Sequence, residues 1–128
     1  MSMAASLEIL NNTGSMIMFT SIDQVNDDAT WSAPSKGDKL QTGKSATISM
    51  GNSSVFFAPR GVGADVRFIC AQNFEMGQIY FDDPAVGAHS FQFDQSGNFN
   101  YAVTNPTGNS YVVAVTLKQP NRPRQPAG

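Results

Sequence analysis

Gln78-Ile-Tyr-Phe-Asp-Asp-Pro-Ala-Val-Gly-Ala-His-Ser-Phe91 reads as strand, corner and strand, and that reading decides the fold. Ile79-Tyr80-Phe81 and Ser90-Phe91-Gln92-Phe93 are the two aromatic strand candidates. Between them lie a carboxylate pair, a proline, a glycine and the single histidine, His89. Pro84 has no N–H to give to a ladder, so the first strand is expected to stop at or before Asp83. Binding residues tend to sit on loops held by rigid elements, which makes this corner the first place to look for function.

Working outward, the same period of two recurs. Toward the C-terminus, His89, Phe91 and Phe93 share a face, and Asp94-Gln95-Ser96-Gly97-Asn98 is a hairpin turn. Phe99, Tyr101 and Val103 alternate out of it, and Asn105 to Asn109 turns again. Ser110 to Lys118 is the last strand, sending Tyr111, Val113, Val115 and Leu117 inward. Toward the N-terminus, Val66, Phe68 and Cys70 share a face, with Arg67 and Ile69 on the other. Pro59 to Gly63 is a loop and Ser54 to Ala58 a strand, with Gly51-Asn52-Ser53 as the turn before it. Ala46, Ile48 and Met50 alternate with Ser45, Thr47 and Ser49, the pattern of a half-buried antiparallel strand. Ser21 to Gly43 is a polar meander with one short strand near Ala29 to Ser32. Met16 to Thr20 and Leu7 to Leu10 are strands joined by the turn Asn11-Asn12-Thr13-Gly14.

No window of 11 or more residues holds a 3.6-residue apolar period. Short strands separated by turn signals predict an all-β chain, a single-domain antiparallel β-sandwich over residues 1–118. Residues 119–128, with three prolines and two arginines, form a separate tail that cannot join a sheet.

Composition narrows the function classes. Of 128 residues only 14% are charged, against about 25% in ordinary soluble domains, and the net charge is −2. The body carries no basic patch, which argues against nucleic acid and against polybasic attraction to anionic lipid. One cysteine, Cys70, permits neither an internal disulfide nor a cysteine zinc cluster. The N-terminus lacks a cationic region and Glu8 breaks its short apolar run, so no signal peptide is expected. No apolar stretch approaches the roughly 20 residues of a membrane-spanning helix. A chain made soluble in the cytoplasm, and released without a classical signal, is the expectation.

Catalytic readings are weak. Cys70 and His89 offer a thiolate and a base, but Cys70 lies in line with Val66 and Phe68, where a cysteine behaves as a small hydrophobe. Asp82-Asp83 and Asp94 to Asn98 superficially suggest calcium, yet the glutamate that closes a calcium loop is missing. Turn chemistry accounts for these residues. The expectation is no enzyme, no catalytic residue, no cofactor and no metal. Aromatic side chains outside the core are a better lead, since amphipathic rings suit a lipid interface. Trp31, in a polar stretch, is the leading candidate.

Three segments together resemble the aegerolysin family, and most closely the small component of bacterial binary insecticidal crystal toxins. Leu7-Glu8-Ile9-Leu10-Asn11-Asn12-Thr13-Gly14 resembles the opening strand and its Asn-Asn-x-Thr-Gly turn, with one residue fewer. Ala29-Thr30-Trp31 resembles the position of the family's tryptophan after its second strand. Tyr80-Phe81-Asp82-Asp83-Pro84-Ala85-Val86-Gly87 resembles the toxin's Tyr-Phe-Asp-Asn-Pro-Phe-Ala-Gly corner, a version of which in fungal members reads Tyr-Trp-Asp-Cys-Pro-Trp-Gly. The pieces run in family order through about residues 6 to 118.

The resemblance implies a compact β-sandwich that binds a lipid membrane or a cell-surface receptor and forms pores with a larger co-encoded toxin protein. Homo-oligomers are compatible with it. The family's Gly-Thr-Glu-Gly loop, whose glutamate is implicated in lipid recognition, is matched here by Gly61-Val62-Gly63-Ala64, which points away from sphingolipid specificity. The candidate membrane or partner contacts are Trp31, Phe74, Tyr80, Phe81, Asp82, Asp83, Pro84 and Tyr101. A carbohydrate-binding, lectin-like sandwich without pore formation is the alternative reading.

Overall fold

The computed structural model describes residues 2–25, 30–53, 61–72, 74–83 and 89–118. The expected strand at Ser54 to Ala58, Pro84, Gly87, Ala29 and the tail at 119–128 lie outside them. Ten strands follow in order: β1 (Ser2–Asn11), β2 (Ile17–Gln24), β3 (Thr30–Ser32), β4 (Lys39–Leu40), β5 (Ser45–Ser53), β6 (Val62–Cys70), β7 (Met76–Asp83), β8 (Ser90–Phe93), β9 (Phe99–Thr107) and β10 (Ser110–Leu117). They form two five-stranded sheets, β3-β5-β1-β10-β9 and β4-β2-β6-β7-β8. The fold is an all-β sandwich.

Pairing is antiparallel except between β1 and β10, which run parallel with Leu7 opposite Tyr111 and Ile9 opposite Val113. Both strands are buried on alternate positions, so this central pair carries the core of its sheet. Leu7, Ile9, Ile48, Val113 and Val115 from one sheet meet Ile17, Phe19, Val66, Phe68, Ile79 and Phe81 from the other, all at most 1% exposed. Burying each such side chain contributes about 1.5–3 kcal/mol. Aromatic contacts bridge the layers, among them Phe68 to Phe99 and Phe81 to Tyr111, both with ring centroids 5.1 Å apart. At one lateral edge Phe93 of β8 stacks on Tyr101 of β9 at 4.5 Å, which ties the last strands of the two sheets together.

The β1–β2 turn is held by a buried polar knot. Asn11 Nδ2 donates to the carbonyls of Ser15 (2.7 Å) and Leu40 (2.8 Å), and its Oδ1 accepts from the Thr13 N–H (3.0 Å) and hydroxyl (2.7 Å). Every hydrogen-bonding position that the amide needs in order to be buried is filled, so Asn11 fixes the turn instead of destabilising it.

Four expectations change. The stretch Ser21 to Gly43 is more than a meander with one strand, since β2 runs on to Gln24 and β4 pairs back onto Ile17 and Met18. Gly51-Asn52-Ser53 is not a turn but the end of β5, because Ser2 to Ala4 extend β1 far enough to pair with it. Asn105 and Pro106 continue β9 up to Thr107, leaving Gly108 and Asn109 to turn; β9 is an edge strand, where a missing N–H is tolerated. Val103 follows Phe99 and Tyr101 in register, yet it is 39% exposed. Its partner across the ladder, Val113, is fully buried, so the apolar pattern here outruns the cover that the facing sheet gives an edge strand.

Candidate functional site

The corner that ends β7 splits its residues between two faces. Phe81 and Asp83 point inward and are buried, while Tyr80 and Asp82 point outward and are half-buried. Strand β7 is described up to Asp83, and the expected stop at Pro84 lies outside the described residues. Phe81 has no exposed surface, and its ring packs on Phe91 at 4.8 Å. It cannot serve as an outward contact in this conformation. Burial pushes the Asp83 carboxyl above its ordinary range, with His89 pulling the other way and Asp82 adding to the rise. The His89 ring lies 4.8 Å from that of Tyr111, whose hydroxyl burial also shifts upward. Cys70 is fully buried at the far end of β6. His89 adjoins Ser90, which pairs with Asp82 and, through it, Gly63. Seven residues of strand separate Gly63 from Cys70, roughly 23 Å at ~3.3 Å each, so the two cannot act as a nucleophile and base.

Trp31 and Tyr101 are also less exposed than their sequence context suggests. Trp31 pairs with Met50 across β3 and β5 and packs against the core. The Tyr101 hydroxyl accepts from the Gln78 N–H at 3.3 Å, and burial holds its pKa up at about 12. Tyr101 therefore works as a staple between sheets. Trp31 sits on β3, at the edge of its sheet opposite β9, whereas Tyr80 is on β7 beside the β8 edge. Among the described residues, the candidate contacts do not form one surface.

Two outward features remain. Phe74, at the tip of the β6–β7 hairpin, is 76% exposed, and Met76 beside it is 54% exposed. The Phe74 backbone has φ of 58°, a left-handed conformation that a bulky residue rarely adopts. It is held there by the bonds Phe74 N–H to Cys70 O (2.8 Å) and Cys70 N–H to Glu75 O (2.7 Å). The second is a surface cavity of about 210 Å³ on the outer face of β7 and β8, lined by Gln78, Tyr80, Gln92, Phe93 and Asp94. Only Tyr80 of these was marked in the sequence. The signal for Gln78, Gln92 and Asp94 was their alternation with Ile79, Phe91 and Phe93, which places them outward, but not together. Among the described residues no group of His, Cys, Asp and Glu could hold a metal ion.

The fold has a solved counterpart. It is similar to IP-1A from Alcaligenes faecalis. The likeness covers 91% of each chain with a TM-score of 0.64, at 15% sequence identity. At that identity IP-1A speaks for the β-sandwich alone. No family model matches this chain, and no curated protein sequence does.

Proposed function

We propose that this protein is a toxin component that acts at the membrane of a target cell, insecticidal in effect, and that forms pores with a larger partner protein. The observation that carries the reading is the shared sandwich with IP-1A, an insecticidal protein, over nearly the whole length of both chains. The resemblance of the Tyr80-to-Gly87 corner to aegerolysins supports the same reading.

The physical features are compatible with it. Phe74 and Met76 give the β6–β7 hairpin an apolar tip that a lipid interface would accept. Among the described residues no helix is long and apolar enough to cross a membrane. A pore containing this chain would then be built from strands closed against each other, because an open sheet edge is not tolerated in lipid. One sandwich of this size is too small for that task, hence the partner or further copies.

The test is dye release from insect midgut vesicles and from liposomes, with the protein alone and with a co-encoded partner. Release that requires both proteins is the expected result. Absence of binding to either membrane would sink the reading.

A further inference from the structure

We propose that the groove on the outer face of β7 and β8 binds one neutral sugar ring, gripped by Gln78, Tyr80, Gln92 and Asp94. The proposal is independent of pore formation. It begins from register. Tyr80 pairs directly with Gln92, and the ladder continues past β8 through the bond from the Asp94 N–H to the Gln78 carbonyl at 3.2 Å. The four side chains therefore stand at the corners of a rectangle, about 5 Å across the strands and about 7 Å along them. Those are the dimensions of a hydroxylated six-membered ring laid flat on the sheet.

The chemistry at the corners matches a polyol. Each glutamine amide offers donors and an acceptor, the tyrosine hydroxyl does both, and the carboxylate accepts. Adjacent hydroxyls on a sugar need that mixture. The ring of Tyr80 presents apolar surface for the C–H face of the same ligand, the Phe93 ring being turned inward onto Tyr101. At about 210 Å³ the cavity falls below the roughly 300–1,000 Å³ of drug-sized sites, so it suits one ring of a glycan.

Part of the site is set before any ligand arrives. Gln78 Nε2 donates to Asp65 Oδ1 at 2.8 Å, and the other Asp65 oxygen lies 3.9 Å from Arg67. That buttress fixes the amide and leaves its carbonyl oxygen for the groove. Asp94 is fixed likewise, since its Oδ1 accepts both the Ser96 N–H (2.9 Å) and hydroxyl. These bonds turn Oδ2 toward other partners. Charge selects against anions. Asp94 lines the groove and, among the described residues that line it, no cationic side chain does. The Arg67 guanidinium faces Asp65, and Lys118, which acts on Asp94 from beside the groove, donates to the Gln95 carbonyl at 2.7 Å. Phosphorylated, sulfated or sialylated sugars are disfavoured.

The experiment is a titration of the full-length, isotope-labelled protein with glucose, galactose, mannose, fucose and N-acetylglucosamine, followed by amide and side-chain NH₂ shifts. Inorganic phosphate serves as the control. Expected are saturable shifts at the Gln78 and Gln92 side-chain amides, and at backbone positions 78–80 and 92–94, for at least one sugar. Gln92→Ala and Tyr80→Phe, each shown to keep its melting temperature, should weaken that sugar by roughly fivefold to tenfold per lost hydrogen bond. No shift in this patch with any sugar would overturn the proposal. So would equal binding by both variants, shifts centred on Trp31, or a stronger response to phosphate. No membrane enters the experiment, so its failure would leave the dye-release result standing, and the reverse.

Discussion

Phe68 lies directly across the β6–β7 ladder from Gly77, and its ring occupies the space that a Cβ on Gly77 would need. A methyl there would come within 2.7 Å of Phe68 Cε2 and 2.8 Å of the Tyr101 hydroxyl oxygen. The glycine is required by packing, since its side of the strand is taken by a ring from its neighbour. Gly77→Ala should cost about 1–3 kcal/mol, read from denaturant midpoints. The penalty should shrink in a Phe68→Leu background, where the ring no longer competes for the space. A penalty that is the same in both backgrounds would refute this account.

Asn11 is expected to be among the most sensitive polar positions. Asn11→Ala takes the side-chain donor from the Leu40 carbonyl and the acceptor from the Thr13 N–H, while the Ser15 carbonyl keeps the Thr13 hydroxyl at 3.0 Å. The cost should be about 2–4 kcal/mol. Asn11→Asp should be worse at neutral pH. The new carboxylate oxygen would face two carbonyl oxygens and nothing would supply a proton. Thermal melts of the two variants at neutral and acidic pH check the order, and the aspartate variant should recover partly on acidification.

Asp83 makes stability depend on pH. Its folded-state pKa is raised above 3.8 by burial, so the neutral acid is the form that folding favours. Its contribution is therefore fully present below the unfolded value and is lost as pH rises through the folded one. Asp83→Asn, which keeps the shape without the charge, should melt higher than wild type near pH 7. The advantage should vanish near pH 3. An advantage independent of pH would remove the carboxyl from the explanation.

Phe74 sets stability against contact. Phe74→Gly relieves a left-handed backbone that phenylalanine adopts at a cost, and should stabilise the fold by about 1 kcal/mol. The same change removes the 76% exposed ring from the hairpin tip. Under the proposed membrane role, liposome binding should fall while the melting temperature rises. A variant that binds as wild type does would show that the tip is not the contact.

The site was only partly legible in the sequence. Trp31 stands among polar residues and reads as a surface residue, yet β3 lies against Met50 and takes its ring toward the core. Tyr101 reads as a candidate outward contact, yet its ring stacks on Phe93 and staples two edge strands. Asp94 reads as turn chemistry, which it is, and it also closes a groove with Gln78 on another strand. None of these second roles leaves a trace in local order, because each depends on which strand lies next to which.

What the sequence determined by itself is the alternation. Ile48 and Met50, Val66, Phe68 and Cys70, and Tyr111, Val113 and Val115 face the core, as their period of two requires. An extended strand allows an apolar set only one side. Strand order was decided by the tertiary structure alone. The parallel pairing of β1 with β10, the edge position that leaves Val103 exposed and the rectangle of Gln78, Tyr80, Gln92 and Asp94 all come from long-range pairing. The physical reason is that side-chain direction is a local property of the backbone. Adjacency between strands is settled only when two sheets bury one another's apolar faces.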